Sequence, residues 1–333
     1  MNEPVLALDA NGRVTLANRA ALELTGQAQL PAGRPLIEVL RIPALDDAVT
    51  AANRGAAAAP VEFQLAGERP RMILAHVTAQ RSAGCVVVLH DVTEFRRLEK
   101  VRSDFVANVS HELRTPVATI LANAETLAGG ALDDRERAPE FLEAMVRSAT
   151  RLGRIIDDLL DLSKIEAGAY PLEPQEIPVA EAAGGAMRLL AERARAKGVE
   201  LRWLEPTEPV GSVWADEHAL EDILGNLLDN AIKYTPEGGH VRLTARRAGA
   251  AVRVEVADDG PGIPPHQRLR VFERFYRVDA GRSREMGGTG LGLSIVKHLV
   301  EAMGGRAGVD PVEPHGSCFW VSLPSNRTPL KTR

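Results

Sequence analysis

The sequence predicts a multidomain α+β protein in which a helical hairpin separates two modules that combine strands and helices. A length of 333 residues suggests two or three domains. Short strand patterns dominate residues 1–92, helical patterns occupy 93–168, and helix and strand patterns alternate over 179–324. Three prolines in residues 169–178 indicate a linker, and residues 325–333 are expected to form a disordered tail.

The first module begins with a predicted β-hairpin. Two short apolar runs flank Asn11 and Gly12, and an Asn-Gly pair in that position is a strong local hairpin signal. A short helix is expected over 19–27, closed by Gly26. The alanine-rich segment 51–60 fits a helix end and a loop equally well. Further strand patterns lie at 61–67, 71–80 and 85–92.

A long helix is predicted from Thr93 to about Leu127. A rotation of about 100° per residue places its apolar side chains within an arc of about 120°. These side chains are Phe105, Val109, Leu113, Val117, Ile120, Ala124 and Leu127. His111 falls opposite the middle of this arc, so we expect its imidazole to face water. Pro116 removes one backbone hydrogen bond and predicts a kink.

A second helix is predicted over 136–166, after a turn at Gly129 and Gly130. Its apolar residues recur with the seven-residue spacing of a short interhelical seam. They are Met145, Ala149, Leu152, Ile156 and Leu159. Because a two-helix hairpin alone buries too little apolar surface, we expect it to dimerise into a four-helix bundle.

The third module is predicted to place its helices on one face of a mixed sheet. Its helical patterns lie at 179–198, 216–235 and 290–305, and its strand patterns at 199–204, 240–249, 251–259 and 317–324. Polar and glycine-rich motifs fall in or directly beside these elements. They are the candidates for a binding site.

The first of these motifs is a pair of asparagines, Asn226 and Asn230. They are four residues apart and therefore lie on one helical face. An amide offers an oxygen ligand and a donor without a charge, a combination that suits a hydrated Mg²⁺ beside phosphate groups. Two asparagines on a solvated helix face would give the same pattern.

Two glycine-containing motifs follow. Asp258 ends a strand and can accept a hydrogen bond from an exocyclic amine, while Gly260 and Gly262 allow a close approach to a ligand. An ordinary strand-to-loop turn has the same composition. The Gly-Thr-Gly run at 288–290 precedes a helix and can present backbone N–H groups to an anion. The arginine-rich segment 264–286 between the motifs is either a mobile lid or a solvated loop.

The order and spacing of these motifs strongly resemble the ATP-binding domain shared by sensor histidine kinases, DNA gyrase B and the ninety-kilodalton heat-shock chaperones. The resemblance implies a two-layer α/β sandwich that binds ATP with Mg²⁺. It implies that Asp258 binds the adenine amino group and that Asn226 and Asn230 hold Mg²⁺. Lys233 and Arg274 would approach the phosphates. The other implied nucleotide contacts are Tyr234, Gly260, Gly262, Ile263, Tyr276, Gly288, Thr289, Gly290, Leu291 and Gly292.

The segment SHELRTP at 110–116 resembles the phosphoacceptor motif of sensor histidine kinases, which the gyrases and chaperones lack. The phrases FERFYRVD and GGTGLGLSIVKHLV are most similar to the phosphate-regulon type of sensor kinase. The resemblance implies ATP-dependent autophosphorylation of His111, with Glu112 as the neighbouring base, and phosphoryl transfer to an aspartate of a response regulator. It also implies dephosphorylation of that regulator, with Thr115 positioning the attacking water. The alternative for Thr115 is an N-terminal cap ahead of the following proline.

The first module resembles a PAS sensory domain at its start, VLALDANGRVTLANRAALELTG, and at its exit, VVVLHDVTEFRRLEK. The exit leads from the last strand into the helix that bears His111. A change in the module would then re-angle this helix, and a bend at Pro116 would supply a two-state element.

The composition argues against several other classes of function. A net charge of −5, with acids and bases interspersed, argues against a nucleic-acid surface and a polybasic membrane anchor. No apolar run approaches the ~18 residues of a membrane span, and the N-terminus lacks a signal-peptide pattern. We therefore expect a cytoplasmic location, either for a soluble protein or for the cytoplasmic part of a membrane sensor. The expected partners are a second copy of the chain and a cognate response regulator.

Three alternatives remain on the sequence alone. The chain could act mainly as a regulator phosphatase, as a non-catalytic scaffold, or as an ATP-driven chaperone or DNA-transaction ATPase. The intact His111, Asn230 and Asp258 argue against a degenerate scaffold. The third alternative leaves the 110–116 segment without an explanation.

Overall fold

The computed structural model describes residues 3–29, 31–67, 70–80, 84–206, 208–278 and 288–326. The chain divides into two compact units, Met1–Val106 and Ala107–Arg333. The division falls inside a long helix, whereas the sequence predicts a domain boundary at the end of the preceding strand, after residue 92.

The first unit is built on an antiparallel sheet with the strand order β2-β1-β5-β4-β3. Its strands are β1 (Val5–Leu8), β2 (Val14–Ala17), β3 (Val61–Leu65), β4 (Arg71–Ala79) and β5 (Cys85–Asp91). Its helices are α1 (Arg19–Thr25), α2 (Leu36–Leu40) and α3 (Pro43–Asn53). Alternate residues of β4 and β5, such as Ile73 and Val87, are fully buried in a core shared with α3.

The predicted hairpin and the first helix are confirmed. Gly12 adopts a φ of 72° in the β1–β2 turn, and α1 ends at Gly26 with a φ of 67°. The sequence analysis missed α2 and α3, because α2 is only one turn long and α3 begins with a proline. A proline is tolerated there, since the first turn of a helix has no internal partner for its N–H group.

Two long helices form the hairpin, α4 (Thr93–Ala128) and α5 (Ala138–Glu166). Helix α4 begins where the Asp91 carboxylate accepts a hydrogen bond from the Thr93 N–H at 3.0 Å. The helix is continuous through Pro116, and Gly130 turns the chain with a φ of 117°. The predicted helices therefore agree with the structure to within one turn.

Burial within one chain differs along the predicted seam of the hairpin. The fully buried apolar residues of α5 are Ile155 and Leu162, whereas Met145, Leu152 and Leu159 are only half-buried. Helix α5 therefore has apolar residues on two adjacent faces, one directed into the unit and one left exposed, and the seam stays a prediction for the dimer. The large apolar side chains left exposed on α4 and α5 are Phe95, Leu98, Val101, Val106, Val117, Leu121, Leu142, Val146, Ile156 and Leu160.

The remainder of the second unit is a mixed sheet with the strand order β11-β12-β10-β9-β7, in which only β7 and β9 are parallel. Its strands are β7 (Glu200–Trp203), β9 (His240–Ala248), β10 (Ala251–Asp258), β11 (Arg306–Pro311) and β12 (Ser317–Pro324). Its helices are α6 (Val179–Ala196), α7 (Glu217–Tyr234) and α8 (Gly292–Ala302). The predicted helix-on-sheet architecture is confirmed.

Three strands of this module were not predicted. Residues 175–178 of the predicted linker form β6 (Gln175–Pro178), which pairs with β8 (Ser212–Ala215). Both strands are too short for an alternating pattern to stand out. The third strand, β11, contains a glycine and a proline, which are rare in strands. Of the predicted tail, residues 327–333 lie outside the described part of the chain.

The inward-facing residues of β10 are apolar up to the last one, which is an aspartate. Val252, Val254 and Val256 alternate inward along it and are almost completely buried. Asp258 occupies the next inward position, so a carboxylate is buried at the end of an otherwise apolar row.

Within the described residues, no helix combines the length and the apolar character that crossing a bilayer requires.

Candidate active site

A cavity of about 260 Å³ opens beside the end of β10, between α7 and the segment that leads to α8. Its lining residues are Asn230, Tyr234, Asp258, Pro261, Gly262, Ile263, Val271, Tyr276, Arg277, Val278, Leu293, Ser317 and Phe319. Most of these side chains are apolar or aromatic, and the polar groups are few. This composition suits a flat, largely apolar ligand that is oriented by a small number of hydrogen bonds.

Asp258 is the buried acid of this cavity, with 4% of its surface exposed. Its Oδ1 atom accepts hydrogen bonds from the backbone N–H groups of Gly260 at 2.9 Å and Ser317 at 3.3 Å. Burial raises the pKa of Asp258 from 3.8 to about 6, although these two hydrogen bonds act in the opposite direction. The ionised form is therefore disfavoured by roughly 3 kcal/mol relative to water, yet it predominates at neutral pH.

The two asparagines lie on α7, whose N-terminus is capped by the Asp216 carboxylate. Asn230 lines the cavity. The Asn226 side-chain nitrogen donates to the carbonyl oxygen of Asp222 at 2.9 Å, and its oxygen is directed at Gly292 at the start of α8. A Cβ atom on residue 292 would overlap that oxygen, so a larger residue there would displace the Asn226 amide.

Amide oxygens are ligands that suit Mg²⁺ in proteins. The described residues contain no cluster of three or more histidine, cysteine or acidic side chains that could hold a metal ion. A magnesium ion at the two asparagines would therefore need phosphate oxygens and water to complete its shell. The donor set fits an ion that is bound together with a nucleotide.

Lys233 supplies a buried positive charge beside the glycine-rich segment. The residue is 6% exposed, and its Nζ atom lies so close to Gly288 that a Cβ atom there would overlap it. Burial is the main cause that lowers the pKa of Lys233 to about 8; the nearby Asp229 raises it, and the charge of Arg277 adds to the lowering. An anionic ligand would stabilise the charged amine.

The glycine-rich segment leads directly into α8, as predicted. Gly290 adopts a φ of 76°, and its carbonyl oxygen accepts the N–H of Phe275 at 2.8 Å. The Thr289 hydroxyl donates to Asp158 of α5 at 2.7 Å and accepts the N–H of Leu291 at 3.2 Å. The loop is thus held between the helical hairpin and the first residues of α8.

Arg274 has a different neighbour from the one implied by the resemblance. Its guanidinium forms an ion pair with Glu166 at the end of α5, and His298 of α8 lies 3.5 Å from the same carboxylate. Arg274 is not among the residues that line the cavity, whereas Arg277, three residues later, is. Of the predicted lid, residues 279–286 lie outside the described part of the chain.

His111 is exposed on α4, as its helical position predicts. It lies at one end of a shallow groove whose lining residues are His111, Arg114, Thr115, Ala118, Thr119, Ala122 and Asn123. The Thr115 hydroxyl donates to the His111 carbonyl oxygen at 3.2 Å, inside the helix. The alternative of an N-terminal cap at Thr115 is therefore wrong, because α4 begins 22 residues earlier, at Thr93.

Glu112 turns away from the imidazole of His111. Neighbouring residues on a helix point about 100° apart, and the Glu112 side chain is only 15% exposed. Its Oε2 atom accepts hydrogen bonds from Arg151 of α5 at 2.8 Å and from Arg277 at 3.3 Å. These two arginines are the functional candidates that the sequence analysis missed.

Three family models match the chain. A model of the PAS fold matches residues 1–92. A model of the His Kinase A (phospho-acceptor) domain matches 101–168, the region of the helical hairpin. A model of the histidine kinase-, DNA gyrase B- and HSP90-like ATPase matches 215–327, which includes the cavity.

Two curated relatives illustrate the similarity. The sensor histidine kinase WalK of Bacillus subtilis is 33% identical over 333 residues, which cover 97% of this chain and 54% of WalK. The sensor-like histidine kinase SenX3 of Mycobacterium tuberculosis is 39% identical over 240 residues, which cover 72% of this chain and 58% of SenX3. The chain spans little more than half the length of these relatives.

Two solved structures have a similar fold. Histidine kinase ThkA, solved in complex with response regulator protein TrrA, has a TM-score of 0.56 at 24% identity, covering 97% of this chain and 96% of ThkA. The Acinetobacter baumannii histidine kinase AdeS has a TM-score of 0.54 at 20% identity, covering 65% of this chain and 98% of AdeS. At these identities the likeness concerns the fold.

The raised pKa of Asp258 predicts a pH-dependent nucleotide affinity. Protonation removes the charge that would accept the adenine amino group, so ATP binding should weaken as the pH falls below about 6. We expect a loss of roughly tenfold between pH 7 and pH 5. Asp258→Asn should bind roughly tenfold to a hundredfold more weakly at pH 7.

Calorimetric titration of both proteins with ATP from pH 5 to 8 checks this expectation. The variant controls for titration of the ATP phosphates, which both proteins experience equally. Parallel affinity curves for the two proteins would show that the Asp258 carboxylate does not contact the nucleotide.

Proposed function

The chain belongs to the sensor histidine kinases, and on this premise we propose that it phosphorylates its own His111 with ATP and transfers the phosphoryl group to an aspartate of a response regulator. One observation carries the proposal. An exposed histidine on α4 belongs to the same compact unit as a cavity lined by Asn230, by Asp258 and by Leu293 in the first turn of α8.

We propose that the cavity binds the base of the nucleotide. The Asp258 carboxylate would accept the adenine amino group, while Ile263 and Tyr276 contact the faces of the ring. The Lys233 amine, which lies against Gly288, and the N-terminus of α8 would receive the phosphates, since both carry positive charge beside the glycine-rich segment. Asn226 and Asn230 would hold Mg²⁺, which supplies charge neutralisation on the phosphate oxygens.

The phosphoryl transfer that we propose is a single displacement. One ring nitrogen of His111 forms a bond to the γ-phosphorus, the bond from that phosphorus to the β,γ-bridging oxygen breaks, and ADP leaves. The proton on the other ring nitrogen passes to the Glu112 carboxylate. In the structure this carboxylate lies against Arg151 and Arg277, so it must turn toward the imidazole for this step.

We further propose that the functional form is a homodimer with a sensory first domain. The apolar side chains left exposed on α4 and α5 would be covered in a four-helix bundle. The exposed groove beside His111 would accept a response regulator, the kind of partner with which ThkA was solved. A signal in the first domain would reach His111 through α4, and the protein would act in the cytoplasm, where ATP is available.

A second activity, dephosphorylation of the regulator, is supported by Thr115. Its hydroxyl lies one helical turn beyond His111 and lines the same groove. A regulator docked there for phosphoryl transfer would place its phosphoaspartate near this hydroxyl. Thr115 would then orient the water that attacks the phosphorus.

Labelling with [γ-³²P]ATP and Mg²⁺ tests the kinase proposal. The full chain should acquire an acid-labile, base-stable label, and His111→Ala should abolish it because no other histidine replaces the nucleophile. His218→Ala is the matched control, since His218 is exposed on α7. A label that survives in His111→Ala, or is absent from the intact chain although ATP binds, contradicts the proposal.

The metal assignment predicts a separate effect at Asn230. Asn230→Ala should lower the autophosphorylation rate roughly a hundredfold or more, because the ion that neutralises the phosphates is lost. Binding of adenosine should change little, since the Asp258 contact remains. EDTA should abolish labelling of the unmodified chain, and Glu221→Gln on the exposed face of α7 is the control. Equal rates for Asn230→Ala and the unmodified chain would refute the assignment.

The phosphatase proposal predicts that Thr115→Ala separates two activities. Autophosphorylation should remain within about twofold, while dephosphorylation of the regulator that accepts the phosphoryl group should slow roughly tenfold to a hundredfold. Thr119→Ala is the control, because Thr119 makes the same hydrogen bond one turn later, to the Thr115 carbonyl at 3.1 Å. Identical dephosphorylation rates for the two variants would remove Thr115 from this role.

A further inference from the structure

The Glu112 carboxylate is held by two arginines that come from different parts of the chain. Arg151 lies 39 residues away on α5, and Arg277 lies 165 residues away on the wall of the cavity. Both guanidinium groups donate to Oε2. All three side chains are at least four-fifths buried, so the ion pairs are poorly screened by solvent.

Of the two contacts to Glu112, the one from Arg277 is the contact that a bound nucleotide would break. Its Nη2 atom also donates to the carbonyl oxygen of Gly288, and its side chain lines the cavity. A polyphosphate in that cavity attracts a neighbouring guanidinium more strongly than one shared carboxylate does. When a nucleotide binds, Glu112 therefore stands to lose this partner.

Arg151 is the partner whose distance from Glu112 is fixed by the fold. The two residues lie on α5 and α4, the two helices of one hairpin, and their 2.8 Å contact is the shorter one. The arrangement is costly, because the Nε atom of Arg151 is buried with no hydrogen-bond partner among the described residues. A buried ion pair with an unsatisfied donor is weak evidence for stability, which favours a functional reason for its presence.

We propose that Arg151 is a positioning residue for autophosphorylation, acting through Glu112. Once Arg277 is engaged by the nucleotide, Arg151 keeps its hydrogen bond to Oε2 while the carboxylate turns toward the imidazole, so that the carboxylate stays ordered. The other oxygen, Oε1, then accepts the N–H proton of the His111 imidazole as the opposite ring nitrogen forms its bond to phosphorus. This inference rests on the proposed kinase function.

A double-mutant cycle on the full chain tests the inference. The initial rate of phosphohistidine formation is measured over a range of Mg-ATP concentrations for Arg151→Gln, Glu112→Gln and the double variant. Glu112→Gln should lower kcat roughly a hundredfold or more. Arg151→Gln should lower kcat at least about tenfold, with KM for ATP changed less than about threefold. The double variant should be no slower than Glu112→Gln alone, within about twofold.

Two further variants separate positioning from structural damage. Arg151→Lys retains the charge and should recover part of the rate that Arg151→Gln loses. Arg147→Gln is the matched control on the same helix, since Arg147 forms only an exposed ion pair with Glu143, and it should retain the full rate. The double variant removes both charges of the Glu112–Arg151 pair together, so neither member of that pair is left as an unpaired buried ion.

Each failure has its own signature. A full rate in Arg151→Gln, or a further slowing when Arg151→Gln is added to Glu112→Gln, overturns the positioning role while leaving the kinase intact. A full rate in Glu112→Gln overturns the role of both residues. Absence of phosphohistidine from the unmodified chain overturns the proposed function itself, and the inference with it.

Discussion

The burial of one carboxylate at the end of β10 organises the candidate site. The alternation of this strand sends Val252, Val254 and Val256 into the core and gives the next inward position to Asp258. A buried acid must be compensated, and the backbone groups that do so belong to Gly260 and Ser317. The strand, the following turn and the start of β12 are therefore fixed around a single acceptor. Most of the remaining wall of the cavity is apolar or aromatic, which makes that buried acceptor selective for a ligand with a matching donor.

A second constraint is the excess of positive charge beside the glycine-rich segment. Lys233 lies against Gly288, and Arg277 lines the cavity and contacts the helical hairpin. The hairpin supplies carboxylates to this region. Glu112 accepts from Arg277, and Asp158 accepts from the Thr289 hydroxyl. The same groups are suited to bind phosphate. The hairpin carboxylates and a bound nucleotide would consequently compete for the same hydrogen-bond donors. A nucleotide in the cavity would therefore weaken the contacts that these donors make with the hairpin.

Residue patterns identified the candidate motifs that are local in sequence. The Asn226–Asn230 pair, Asp258 with its two glycines, and the Gly-Thr-Gly run were found because each lies within one turn or one helix. The exposure of His111 also followed from helical periodicity alone.

What sequence could not provide were the contacts between distant elements. Arg151 and Arg277 reach Glu112 across 39 and 165 residues, and neither belongs to a motif that marks a partner. That Arg277 lines the cavity while Arg274 pairs with Glu166 depends on the direction of an irregular segment, which no periodic pattern describes. Short strands such as β6 and β8 were missed for a related reason, because their pairing is stabilised by tertiary contacts more than by local preference.

The lowered pKa of Lys233 has a consequence for how binding would be observed. An amine with a pKa of about 8 is only partly protonated in mildly alkaline solution. A polyanion beside it favours the ammonium form, so the protein takes up protons from the buffer as the complex forms. The heat measured for that association then includes the ionisation enthalpy of the buffer. Binding of the polyanion and protonation of Lys233 are therefore thermodynamically linked equilibria.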